Sequence, residues 1–243
     1  MTLPQIVDRE VWLAARVELL GREKEMTRRI DALNADRRRL PMVRVNEPYE
    51  FHGAHGPARL ADLFDGRRQL IVQHVMFDPS WDDACPSCTA GVDELSPGLI
   101  EHLNARDTSF ALISRAPQPK LAGYQARKGW TIPWYSSHGT NFNLDYGVTM
   151  DPADEDPPIY NYQPLPWAVE PGTTQEQPGM SCFLKVDDAV FHTYSTFGRG
   201  VDHLGGAYGF LDLTALGRQE EWEEPKGRAS SARPSVPNFV TPS

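Results

Sequence analysis

LIVQHVMFDPSWDDACPSC, residues 70–88, is the stretch on which the reading of the chain turns. Leu70 to Phe77 is a nearly continuous apolar run, the pattern of a strand buried on both faces. A loop holding Pro79 and Trp81 leads from it to Cys85-Pro86-Ser87-Cys88. Beyond Cys88, Val92, Leu95, Leu99 and Leu103 recur at helical spacing, with Pro97 predicting a kink or break. A Cys-x-x-Cys between a buried strand and a helix start has a chemical logic. The first cysteine meets unpaired N–H groups and the positive end of the helix dipole, which favour its thiolate. The second lies one turn further in, within reach of a disulfide.

Outward from this stretch the elements alternate. Tyr49-Glu50-Phe51 reads as a short strand before a turn at Gly53, and Leu60 to Phe64 as a helical turn. Thr108 to Ser114 predicts a second strand, Pro119 to Lys128 a helix stopped by Gly129, and Ile132 to Tyr135 an extended segment. Residues 151–180 are rich in Pro, Asp, Glu and Gln and read as an irregular insertion. Tyr160, Tyr162 and Trp167 predict that part of it packs down, either as a lid over a site or against the core. Residues 181–186 and 190–195 flank Asp187-Asp188 as a hairpin. With a two-residue turn, His192 sits across from Phe183 and on its face, not on that of Cys182. Leu211 to Trp222 reads as a closing helix, and 223–243 as a disordered tail.

Residues 1–41 are highly charged and predict a helical arm: Asp8 as N-cap, Trp12, Leu19, Met26, Ile30 and Leu33 at helical spacing, Gly21 as a weak point, Pro41 as the end. Such an arm packs on its own domain or forms a homodimer contact. The domain proper is then 42–222.

The composition bounds the function. The chain has 243 residues, 40% hydrophobic and 23% charged, enough for one α/β domain with extensions. A net charge of −9 argues against general nucleic-acid binding, which needs clustered Lys and Arg; the run Arg37-Arg38-Arg39 is short. No run approaches the roughly 18 apolar residues of a membrane span, and the N-terminus does not read as a secretory signal. Three cysteines without such a signal predict a cytoplasmic protein with redox or metal chemistry rather than a disulfide framework.

The order β–CxxC–α–β–α–ββ–α is similar to the thioredoxin fold. More narrowly, the chain resembles the thioredoxin-like bacterial family DUF899 in CPSC with the following GVDEL, in ARDTSFALISRAP, in KGWTIPWYSSHGTNFNLDYGV and in VFHTYSTFGRGVDHLGGAYGFLDLTALGR. The resemblance covers about residues 5 to 222. It implies a mixed sheet flanked by helices, and a redox role with no defined substrate. Two departures matter. Thioredoxins place a proline just before the hairpin strand, whose match here is near Met180-Ser181, and the nearest proline is Pro178. Peroxiredoxins share the order Phe77-Asp78-Pro79 to Cys85-Pro86, but carry Thr or Ser three residues before the cysteine. Here that residue is Asp82, whose carboxylate is expected to raise the thiolate pKa.

The expected activity is thiol–disulfide oxidoreduction, with Cys85 as the more exposed nucleophile and Cys88 resolving. The substrate would be a thiol or disulfide, on a protein or a small molecule. Trp81, Asp82, Asp83, His138 and Cys182 are candidate neighbours, one aspartate moving the proton of the second thiol. No cofactor is expected, since there is neither G-x-G-x-x-G nor a Walker sequence. Two alternatives stay open: copper or zinc on Cys85, Cys88 and His138, and an interaction protein without catalysis.

Overall fold

The computed structural model describes residues 3–153, 157–204 and Lys226. Helix α1 (Arg9–Arg37) belongs to a different compact unit from the sheet. Asp8 caps it as expected, its carboxylate accepting from the Val11 N–H. The helix runs unbroken through Gly21, and none of its residues is buried. Its apolar side chains do not form one stripe: Val11, Leu13, Val17 and Leu20 are exposed on other sides than Trp12 and Leu19.

From Met42 onward the chain builds an eight-stranded sheet. Short strands β1 (Val43–Arg44), β2 (Glu50–Gly53) and β3 (Gly56–Arg59) come first, then the buried strand β4 (Gln69–His74). Helices α2 (Pro86–Asp93) and α3 (Pro97–Asn104) follow, separated where Pro97 cannot continue a helix and Ser96 caps the next one. Strand β5 (Thr108–Ser114) is buried along its whole length. Helix α4 (Gln118–Lys128) stops at Gly129, whose φ of 67° suits glycine. Then come β6 (Trp134–Ser136), the single-turn helix α5 (Phe142–Asp145) and the two-residue strands β7 (Thr149–Met150), β8 (Ile159–Tyr160), β9 (Gln163–Pro164) and β10 (Gln175–Glu176). The hairpin β11 (Gly179–Val186) and β12 (Ala189–Phe197) closes the sheet.

The order across the sheet is β1-β12-β11-β4-β5-β6-β2-β3. Strands β4, β5 and β6 are parallel, and β11 joins β4 antiparallel. This mixed sheet flanked by helices is a thioredoxin-like α/β fold, with the cysteines at the carboxyl end of β4.

Two apolar layers cover the two faces. On one, Cys85, Cys88 and Val92 pack with Phe77, Phe110, Leu112, Tyr124 and Trp134. On the other, Leu70, Val72, Ile113 and Phe183 pack with Phe51, Phe64 and Phe142. Each such side chain, once buried, contributes about 1.5–3 kcal/mol.

The hairpin starts earlier than its apolar residues suggest. Gly179 already pairs with His74. A Cβ there would come within 2.8 Å of the Phe197 ring and 2.9 Å of Val148, so only glycine fits. Pro178 therefore stands directly before β11, at the place where sequence spacing left no proline. The insertion between β7 and β11 is less irregular than expected. It contributes β8, β9 and β10, with β10 paired to β7, and it buries Leu165 and Val169 against Met150. The expected closing helix at 211–222 and tail at 223–243 lie outside the described residues. No described helix is long and apolar enough to cross a membrane.

Candidate active site

The dithiol is built from the end of β4. The Val75 N–H bonds the Ile113 carbonyl, and the Val75 carbonyl accepts from the Ser114 hydroxyl at 2.6 Å. Ser114 is itself held by the Trp134 indole N–H at 2.9 Å. The loop then returns so that the Cys85 N–H donates to the Met76 carbonyl at 2.9 Å. Cys85 is the N-cap of α2, with extended backbone and Pro86 in the first turn. Its carbonyl accepts from Thr89, whose hydroxyl lies 2.8 Å from the Tyr124 hydroxyl beneath the helix. The cysteines thus sit on a hydrogen-bonded, aromatic-backed turn.

Both are free thiols, and exposure does not separate them: Cys85 is 8% exposed and Cys88 9%. Hydrogen bonding distinguishes the pair. The Cys88 thiol donates to the Cys85 sulfur, the largest of the effects that lower the Cys85 pKa to about 6. Burial opposes it, while the Cys88 and Ser87 N–H groups and the Ser87 hydroxyl add to it. The Cys88 pKa is pushed well up, first by that same hydrogen bond, then by burial and by the charge of Cys85.

The other candidates sort unevenly. Trp81 is exposed, and its carbonyl accepts from Lys120 Nζ at 2.7 Å. Asp82 is exposed and is not among the leading influences on Cys85. Asp83 is solvent-exposed in an ion pair with Arg127. His138 is exposed in the loop after β6. Among the described residues no three His, Cys, Asp or Glu side chains gather into a metal-holding group, so Cys85, Cys88 and His138 are not assembled into one. Cys182 pairs with Ile71 across the sheet and alternates with Met180. It falls on the face whose layer holds the dithiol.

Sequence reasoning missed two features beside the dithiol. Tyr160, from the insertion, donates its hydroxyl to the Pro178 carbonyl at 2.8 Å. Its pKa is raised to about 12, mainly by burial, and it feels the charge of Cys88. The second is an ionic clamp on the loop that carries the site. Arg115, just past β5, holds Asp78 of that loop, Glu176 of β10 at 2.7 Å and Thr174. Burial raises the Asp78 pKa, but Ser80 and Arg115 outweigh it and the net shift is downward. Burial raises the Glu176 pKa against the pull of Arg115. Only the packed-down aromatics of the insertion hinted at this in the sequence.

The fold and this cysteine pair define a thioredoxin-like protein with a Cys-x-x-Cys at a helix N-terminus. Residues 1–234 match the model of the family described as a bacterial protein of unknown function (DUF899), and the chain belongs to that family. No curated protein matches. Solved structures with a similar chain path include a PrxQ variant of Xylella fastidiosa, at 10% identity over 68% of this chain and 91% of the other, with a TM-score of 0.43. The peroxidoxin BcpB of Mycobacterium tuberculosis is 16% identical over 65% and 85%, with a TM-score of 0.44. Peroxiredoxin Q of Xanthomonas campestris is 12% identical over 68% and 93%, with a TM-score of 0.42.

Proposed function

We propose that the protein is a thiol–disulfide oxidoreductase with Cys85 as nucleophile and Cys88 as resolving cysteine. One observation carries the reading: Cys85 is the N-cap of α2 and Cys88 lies one turn inside it, so helix N–H groups and the Cys88 thiol favour a thiolate at Cys85 while burial and the neighbouring sulfur oppose one at Cys88. The pair thus favours a thiolate at Cys85 with the proton kept on Cys88.

In the reducing direction the Cys85 thiolate attacks one sulfur of a substrate disulfide. A Cys85–substrate bond forms, the substrate S–S bond breaks, and the freed half leaves as a thiolate that takes up a proton. The mixed disulfide removes both the acceptor and the negative charge that held the Cys88 proton. The Cys88 pKa falls, its proton leaves to water, and its thiolate attacks the Cys85 sulfur. That step closes the Cys85–Cys88 disulfide and expels the second substrate thiolate. Two electrons pass from the protein's thiols to the substrate, and the reverse sequence oxidises a dithiol. Resolution is thus held back until a mixed disulfide exists.

Trapping tests it. Cys88→Ser incubated with oxidised glutathione should accumulate a stable mixed disulfide at Cys85, read by mass spectrometry of peptides. Cys85→Ser should accumulate none at Cys88 on the same timescale. Equal labelling of the two variants would overturn the assignment of roles, and no labelling of either would overturn the activity.

A further inference from the structure

The sheet face opposite the dithiol carries a cavity of about 480 Å³, within the range of small-molecule sites. Its polar floor depends on a β-bulge. Phe183 pairs with His192 and Cys182 with Tyr194, so Thr193 is the extra residue. Without it His192 and Ser195, three apart, would point to opposite faces; with it both line the cavity. The Ser195 hydroxyl lies 2.8 Å from His192 Nε2 and 2.8 Å from the Ser181 hydroxyl, which lies 2.9 Å from the Nε2 of fully buried His74. Two histidines and two serines are an unusual expense on a sheet face otherwise built of Phe, Leu, Val and Ile.

The walls are aromatic and acidic. The Tyr146 ring meets His192 edge-on at 5.2 Å, and Tyr162 from the insertion packs on Phe197 at 5.6 Å. Asp145 is fixed at the wall by the Tyr49 hydroxyl at 2.5 Å. Glu47 and Asp151 also border the cavity, and among the described lining residues Arg44 is the one cation. Burial lowers the His192 pKa, which disfavours a positive charge on its ring.

We propose that this cavity binds a small organic cation, an ammonium group on an apolar body, held by the Asp145 carboxylate and by the Tyr146 and Tyr162 side chains that line it. Tyrosine rings attract a cation, and the three carboxylates select against an anion. The proposal does not depend on the dithiol reading.

Three probes that differ at one end group test it by calorimetric titration of the full chain: phenethylamine, 2-phenylethanol and phenylacetate. Phenethylamine should saturate one site, bind at least tenfold tighter than 2-phenylethanol, and leave phenylacetate the weakest. Asp145→Asn should weaken phenethylamine about tenfold and leave 2-phenylethanol unchanged. Should that variant fail to fold, Tyr162→Ala, at a position 71% exposed, should weaken phenethylamine at least fivefold. Equal affinities, a preference for phenylacetate, no binding, or indifference to the folded variants would each overturn the proposal.

Discussion

Strands β4 and β11 present two contrasting faces. On one, Ile71, Met180 and Cys182 look toward the layer that holds Cys85 and Cys88, and the two thiols there belong to one turn of chain. On the other, His74 and Ser181 belong to a hydrogen-bonded line that crosses three strands to His192. The first arrangement is local, set by a helix start and a four-residue motif. The second is distributed, set by register and a bulge. A local site tunes its groups through adjacent N–H donors, whereas a distributed one depends on burial and on neighbours brought in by the fold.

The contrast can be broken or sharpened at four points. The largest effect belongs to the histidine face. Burial, with a smaller push from His192, holds His74 neutral, its pKa lowered from 6.5 to about 3. Between those values the unfolded chain binds a proton that the folded chain does not. The His74 contribution is therefore full above pH 6.5 and is lost as pH falls toward 3. The loss approaches about 1.4 kcal/mol per pH unit and totals on the order of 5 kcal/mol. His74→Phe, placed among the rings of Phe142 and Tyr146, should flatten this acid limb in urea unfolding followed from pH 7.5 to 4.5.

Next comes the clamp that joins the dithiol loop to β10. Arg115→Met leaves Glu176, only 4% exposed, without its cation. It should destabilise the fold by about 3–5 kcal/mol at neutral pH, less as acid protonates the carboxylates. Chemical denaturation at pH 7 and pH 5 measures both.

A smaller effect isolates the dithiol. Cys88→Ala removes the main hydrogen bond to the Cys85 sulfur and should move the midpoint of Cys85 alkylation from about 6 upward by about one unit. His192→Gln, on the opposite face, should leave that midpoint in place. The smallest concerns Asp83, whose pairing with Arg127 is solvent-exposed. Asp83→Asn should cost less than about 1 kcal/mol and leave the alkylation profile unchanged.

The same contrast explains what the sequence discloses. Continuous apolar runs, Pro97, Gly129 and the spacing of CPSC are local signals, and β4, the α2–α3 break, β5, α4 and the hairpin follow from them. The Phe183–His192 pairing also follows, because the two-residue turn fixes register next to it. One bulge further along, that logic fails: nothing at Thr193 announces that His192 and Ser195 share a face. The two-residue strands β1 and β7 to β10 are equally silent, since their pairing partners are remote and two residues carry no periodicity. The start of β11 was hidden because Gly179 offers no side chain to count, which made Pro178 look misplaced. Asp82 and Asp83 adjoin Cys85 in sequence, yet both are solvent-exposed.

The central claim is that Cys85 and Cys88 form a reversible redox pair. It is tested most directly by equilibrating the protein in graded glutathione buffers, trapping free thiols and reading peptides by mass spectrometry. The account predicts one two-electron transition in which both cysteines lose reactivity together, with the intramolecular disulfide as product and full recovery on reduction. A pair that never closes, or thiols that oxidise singly and irreversibly, would contradict it.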